Sequence, residues 1–157
     1  MHTPEPPEAS PLDQPVSLIM TTGELITAEA EDDLSVALDV FRQGRISHIP
    51  ILSGGSKLVG VVSPSDILKL PAPPQATKRG KTGIRIADVM TRNIETVRPT
   101  AHVRQAAQLF ISGGFHSLLV TASDGELVGI VTSSDIIRAL IGGSTDFWAL
   151  GSEPRPD

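Results

Sequence analysis

The sequence predicts an α/β (α+β) protein made of two β-α-β-β-α units packed together, and three observations carry that prediction. The phrase Gly60-Val61-Val62-Ser63-Pro64-Ser65-Asp66-Ile67 returns 69 residues later as Gly129-Ile130-Val131-Thr132-Ser133-Ser134-Asp135-Ile136, each time after a Leu-Val pair. The apolar stripe Leu34, Ala37, Leu38, Phe41 returns at the same offset as Val103, Ala106, Ala107, Phe110, and both follow the i, i+3, i+4, i+7 spacing of one helix face. Each stripe is followed by two short apolar runs separated by Gly- and Ser-rich turn chemistry. A motif duplicated together with its surroundings marks an internal repeat.

The elements follow in order within each unit. Leu25-Ile26-Thr27-Ala28 and Ile94-Glu95-Thr96-Val97 are the opening strands. The stripes are the first helices, with acidic Glu31, Asp32 and Asp33 in the first turn of one and Thr100 as N-cap of the other. Gly44 and Gly113 stand where a left-handed C-cap is expected. Ile49-Pro50-Ile51-Leu52 with Lys57 to Val62, and Ser117-Leu118-Leu119-Val120 with Glu126 to Val131, are hairpins turning at Ser53-Gly54-Gly55-Ser56 and Ser123-Asp124-Gly125. Closing helices start at Ser63 and Thr132 and end near Leu70 and Ile141. A unit of about 55 residues is marginal by itself, so the two are expected to pack pseudo-symmetrically into one module. The expected boundaries are a disordered Pro-, Glu- and Ser-rich tail at 1–14, repeats at 15–71 and 84–141, a linker at 72–83 and a loose tail at 142–157. In that last tail Phe147-Trp148-Ala149-Leu150 is apolar enough to dock.

Composition excludes several functions. With no cysteine and no signal-like N-terminus, a reducing cytoplasm is the expected home, without disulfides, thiolate chemistry or Cys-based metal sites. No apolar run approaches the ~20 residues of a membrane span. A net charge of −5 argues against nucleic acid or an anionic membrane as partner. Lys78-Arg79-Gly80-Lys81 reads as a solvated linker. The absence of Tyr and the presence of four Phe leave no stacking platform for single strands. His2, His48, His102 and His116 have no metal-ligand spacing. No nucleophile elbow, P-loop or Gly-x-Gly-x-x-Gly pattern occurs, so no catalysis is expected.

The repeated motif has two readings. Ser63-x-x-Asp66 and Thr132-x-x-Asp135 fit a capping box with Asp in the usual Glu position, and Pro64 suits the first helical residue. Two capped helices account for these residues in full. The same atoms also suit a nucleotide: helix-start N–H groups and the hydroxyl toward phosphate, the carboxylate one turn on toward ribose. Gly60 and Gly129 allow close approach of a neighbour or a ligand. The functional reading requires both helix starts to open into one crevice between the repeats.

The succession Met-Thr, strand, amphipathic helix, Gly, "SHIPIL", "LVGVVSPSDIL" resembles the cystathionine-β-synthase (CBS) domain, and two copies resemble a Bateman module. The likeness covers Ser17 to Leu70 and Ile84 to Ile141, with Leu18-Ile19-Met20-Thr21 and Ile86-Ala87-Asp88-Val89-Met90-Thr91 as the opening segments. It implies regulatory binding of an adenosyl ligand (AMP, ADP, ATP or S-adenosylmethionine) between paired repeats, and a homodimer assembled as a flat disc. Carried over by position, Asp66 and Asp135 would hold ribose hydroxyls, and Ser63 and Thr132 would contact phosphate or ribose. Leu25-Ile26 and Ile94-Glu95 would border the adenine through backbone groups, with His48 and His116 facing phosphate. The first repeat keeps the family's Pro50 and sets Arg45 and His48 beside the expected phosphate. The second has Leu119 in the proline position and Ser117 for an often basic residue, so the first pocket matches better. The expected function is sensing, through a ligand's differential affinity for two states. The alternative is a ligand-free interaction module that dimerises and regulates a partner protein.

Overall fold

Each repeat folds as a short strand, a helix, a hairpin and a second helix, and the computed structural model describes residues 10–23, 25–44 and 46–142. The first repeat contains β1 (Ala28–Glu29), α1 (Ser35–Arg42), β2 (Ile49–Ser53), β3 (Lys57–Val62) and α2 (Pro64–Leu68). The second contains β4 (Thr96–Val97), α3 (Val103–Gly113), β5 (Ser117–Thr121), β6 (Leu127–Thr132) and α4 (Ser133–Ile141). Two three-stranded sheets result, ordered β1-β2-β3 and β4-β5-β6. In each, the short strand runs parallel to its neighbour and the hairpin is antiparallel. A parallel pair needs a crossover, which α1 and α3 supply.

Several local expectations are corrected. Parallel pairing begins only at Ala28↔Ile51 and Thr96↔Leu119, so Leu25, Ile26, Ile94 and Glu95 precede the strands as irregular chain. Glu31, Asp32 and Asp33 lie ahead of α1 rather than in its first turn. Asp33 instead accepts from the Ser35 N–H at 2.9 Å. His102, not Thr100, is the N-cap of α3 and makes no side-chain capping bond. Gly44 is left-handed as expected (φ 71°), but the corresponding position in α3 falls to Gly114 (φ 67°). Gly113 is helical and needed for a different reason: a Cβ there would overlap the Phe115 ring, which meets Phe110 edge-on at 6.2 Å. α2 ends at Leu68, earlier than Leu70. Residues 10–14 are docked rather than disordered: Leu12 packs against the second core and Asp13 pairs with Arg104 at 3.0 Å. Residues 1–9 and the Phe147–Leu150 segment lie outside the described residues.

The two repeats exchange their opening segments. Ile86 and Met90, from the start of the second repeat, sit in the core of the first with Ala28, Leu34, Ala37, Ile49, Ile51 and Val62. Val16, from the start of the first, sits in the core of the second with Val97, Val103, Ala106, Leu118, Val120 and Val131. Backbone bonds fix both exchanges, from Ile86 N–H to Asp32 O at 2.9 Å and from Val16 N–H to Ala101 O at 2.7 Å. Thr91 bridges to Val61 on β3, and Thr21 to Ile130 on β6. These approaches explain the strand glycines. A Cβ on Gly60 would lie 2.7 Å from Met90 Sδ and 2.9 Å from Thr91 O, and one on Gly129 2.9 Å from both Met20 Sδ and Thr21 O. The neighbour is therefore protein, not ligand. Hairpin tips join as well, with Leu58 N–H donating to Gly125 O and Leu127 N–H to Ser56 O. Each core is thus completed by chain from the other repeat.

Candidate functional site

Where the exchanged segments pass over the hairpins, the irregular chain ahead of β1 and β4 leaves a cleft of about 940 Å3. That volume suits a drug-sized molecule. Both repeats line it. Leu25, Ile26, His48, Ser63 and Asp66 come from the first, Ile94, Glu95 and His116 from the second. Eight of the eleven residues singled out in the sequence therefore share one concavity. Thr132 and Asp135 are not among its lining residues, and Arg45 lies outside the described residues.

Both hydroxyl–acid motifs form the capping boxes their spacing predicts. Asp66 Oδ2 accepts from Ser63 N–H at 2.8 Å and from Ser63 Oγ at 3.1 Å. Asp135 Oδ2 accepts from Thr132 N–H at 2.8 Å, and Thr132 Oγ1 accepts from Asp135 N–H at 3.1 Å. Both aspartates are buried, with 8% and 6% of their surface exposed. The expectation that both starts open freely into one crevice is thereby narrowed: only the first borders the cleft, and its carboxylate is already bonded inside the protein. The helix dipole is also weaker on the same side. α2 has five residues against nine in α4, little more than one turn of aligned dipoles. A helix of that length contributes little charge of its own, so the electrostatics at the first motif rest on side chains.

The second oxygen of each carboxylate distinguishes the repeats. Asp66 Oδ1 accepts from Thr91 Oγ1 at 2.9 Å, with Lys69 Nζ 3.8 Å away. Asp135 Oδ1 is taken by Arg138 Nη1 at 2.9 Å. Thr91 belongs to the segment exchanged from the second repeat, so the first carboxylate joins the helix start through Oδ2 and the exchanged segment through Oδ1, at the edge of the cleft.

The remaining lining is mixed. His48 and His116 are exposed at the cleft, with His48 Nδ1 3.1 Å from Ser47 Oγ. Apolar surface comes from Ile46, Pro50, Val61, Phe115, Leu118, Leu119 and Ile130, which suits a flat heterocycle, while Asn93 and Ser65 add polar groups. Sequence reasoning missed Lys69, Thr91, Asn93, Ser65 and Phe115. One signal was available: Lys69 and Arg138 are basic residues at the same place after each motif. Among the described residues no group of three or more His, Asp or Glu side chains stands together as metal ligands. No helix among them is long and apolar enough to cross a membrane.

Comparison with known proteins agrees with this architecture. The chain is 32% identical to an uncharacterized Methanocaldococcus jannaschii protein, over 74% of this chain and 86% of that one. It is 31% identical to homoserine O-acetyltransferase of Methanohalobium evestigatum over 74% of its own length, spanning only 22% of that enzyme. Among solved structures it is similar to CBSX2 of Arabidopsis thaliana in complex with AMP (TM-score 0.67, 29% identity, 82% of this chain and 96% of that one). It is also similar to the CBS domain pair of protein MJ0100 in complex with 5′-methylthioadenosine and S-adenosyl-L-methionine (TM-score 0.60, 30% identity, 80% and 98%). The CBS domain profile matches twice, at residues 16–72 and 86–142. With two matched repeats, two mixed sheets and a cleft between them, the chain belongs to the CBS domain family as a tandem pair.

Proposed function

We propose that this chain is a regulatory module that binds an adenosine-containing ligand (AMP, ADP, ATP or S-adenosylmethionine) in the cleft between its repeats. The observation that carries the reading is that Asp66, Ile94, Glu95 and apolar residues from both repeats line one concavity of nucleotide size. Asp66 would exchange its Thr91 partner for ribose hydroxyls, Ser63 and His48 would approach phosphate, and the adenine would lie against the irregular chain ahead of the short strands. Relatives with AMP or S-adenosylmethionine bound support the ligand class. Because Thr91 is part of the exchanged segment, a ligand that competes for Asp66 Oδ1 would favour a state in which the Thr91 hydroxyl has released that oxygen. Such a preference is what lets a ligand shift a conformational equilibrium.

The same reading assigns no catalysis to the chain, and the activities of relatives that it spans in small part are not carried over. It includes a homodimer through the helical faces, where Leu68, Ile111, Ile137, Leu140 and Ile141 are exposed apolar residues, and regulation of a partner protein. Calorimetric titration with AMP, ADP, ATP and S-adenosylmethionine tests it at ~100 µM protein, where Kd values of that order register. Binding of one or more is expected, and no heat with any of them rejects the reading. One observation favours a ligand-free interaction module instead: among the described residues no buried side-chain polar atom lacks a partner. Asp66→Ala separates the two, because under the second reading it costs stability and there is no binding to lose.

A further inference from the structure

Lys69 and Arg138 occupy equivalent places three residues beyond the two motif aspartates, yet they are held differently. Arg138 Nη1 lies 2.9 Å from Asp135 Oδ1, a full charge-assisted hydrogen bond. Lys69 Nζ lies 3.8 Å from Asp66 Oδ1, and 77% of its side chain is exposed. Such a contact is a weak surface ion pair. Asp66 does not depend on it, since Ser63 and Thr91 already supply hydrogen bonds to both oxygens. Lys69 is also the single Lys or Arg among the described residues lining the cleft, where the other charged groups are Asp66 and Glu95.

We propose that Lys69 is the anion anchor of the cleft, so that the site takes an adenosine carrying a 5′-phosphate in preference to uncharged or sulfonium-bearing adenosyl compounds. The proposal rests on the reading of the cleft as an adenosyl site and names the ligand class within it. With ribose at Asp66, covalent geometry puts the 5′ substituent close to the ribose. A lysine one helical turn from Asp66 reaches that space on its flexible four-carbon stem. A phosphate gains an ammonium that gives up only a weak contact. A sulfonium meets like charge, and a methylthio group gains nothing. α2 is too short to hold the anion by its backbone, which leaves side chains to do so, with Lys69 the fixed cation beside the ring nitrogens of His48 and His116. In the second repeat the equivalent cation is committed to its aspartate.

The test is calorimetric titration of AMP, adenosine and S-adenosylmethionine into the full chain and its K69M, K69R and R138M variants. The wild type is expected to bind AMP more tightly than adenosine or S-adenosylmethionine. K69M should weaken AMP about tenfold, the scale of one hydrogen bond to a charged group, and leave adenosine within about twofold. K69R should retain AMP binding, and R138M should leave it unchanged. AMP affinity unaffected by K69M, equal losses of AMP and adenosine, or a loss in R138M as large as in K69M would overturn the anchor while leaving the adenosyl site in place. No binding of any of the three compounds to the wild type would overturn the adenosyl site and the anchor with it.

Discussion

The two repeats share a framework and differ at the site. Their sheets have the same order and register pattern, their strand glycines meet equivalent methionines, and each lends its opening segment to the other core. At the motif they part: Asp66 faces the cleft with Thr91 and a loosely held Lys69, whereas Asp135 is tied to Arg138 away from the lining. Packing tolerates little divergence, because a methylene more or less in a close-packed core is felt at once. An exposed cation three residues past a helix cap is under no such constraint. Duplication therefore preserves the scaffold and leaves the surroundings of each motif free to diverge.

The largest effect should come from the exchange itself. Ile86 is fully buried in the core of the first repeat although it belongs to the second. Ile86→Ala should cost about 3 kcal/mol, within the range for removing a buried aliphatic chain. Amide exchange should then speed up in α1 and β2 more than in α3 and β5. Val16→Ala should give the mirror pattern at about 2 kcal/mol, having less to remove. Loss of protection confined to the mutated residue's own repeat would break the reciprocal arrangement.

The close approaches come next. Gly60→Ala and Gly129→Ala each push a methyl group against a methionine sulfur and a carbonyl oxygen. The methionine can turn aside but the backbone oxygen cannot, so overpacking should cost about 2 kcal/mol at each site. Equal costs in urea unfolding are expected. A difference above about 1 kcal/mol would show that the framework is less symmetric than its geometry.

Much of this framework was legible in the sequence because repeats advertise themselves by period. The hairpins, both capping boxes and the helical stripes follow from local spacing that tertiary structure did not override. The exchange was not legible. Ile86 and Met90 look the same to a pattern whether they cover their own repeat or its twin, and only the glycines facing them record the crossing. Gly113 was misread because either of two adjacent glycines satisfies a C-cap, while the Phe115 ring that excludes a side chain at the first is a contact no spacing reveals. Lys69 was hidden for another reason: a lysine at the end of an amphipathic helix has the profile of an ordinary solvated residue.

Smaller effects follow at the two aspartates. Asp66→Ala and Asp135→Ala each remove a cap contact worth about 1 kcal/mol, so the two should unfold at similar denaturant concentrations. Nucleotide binding should separate them, with AMP affinity lost in Asp66→Ala and retained in Asp135→Ala. Equal binding losses would place the ligand astride both motifs and remove the asymmetry.

The smallest effect tests a further difference, between Asp33 and its repeat equivalent His102. His102 caps α3 without a side-chain bond. Asp33 accepts from Ser35 N–H and also from Thr82 N–H, Thr82 Oγ1 and Gly83 N–H, all within 3.0 Å. It thereby pins the end of the inter-repeat linker to the start of α1. The Thr82 and Ser35 backbone donors hold its carboxyl well below the usual carboxylate range. A carboxyl depressed in the folded state adds its stability in full above the ordinary value of 3.8 and loses it progressively as pH falls from there to the lower folded value. The linker clamp should thus persist through mildly acidic pH. Thr82 and Gly83 amide resonances should stay constant from pH 7 to about 4 and move only in stronger acid. In Asp33→Asn that titration should vanish, and trypsin should cut faster at the exposed Lys78, Arg79 and Lys81, because a neutral amide with one acceptor cannot hold three linker donors. His102→Ala should change neither core protection nor linker cleavage. If Asp33→Asn is equally silent, the linker is held by the Leu34 N–H to Ile84 O bond and the repeats differ only at the cleft.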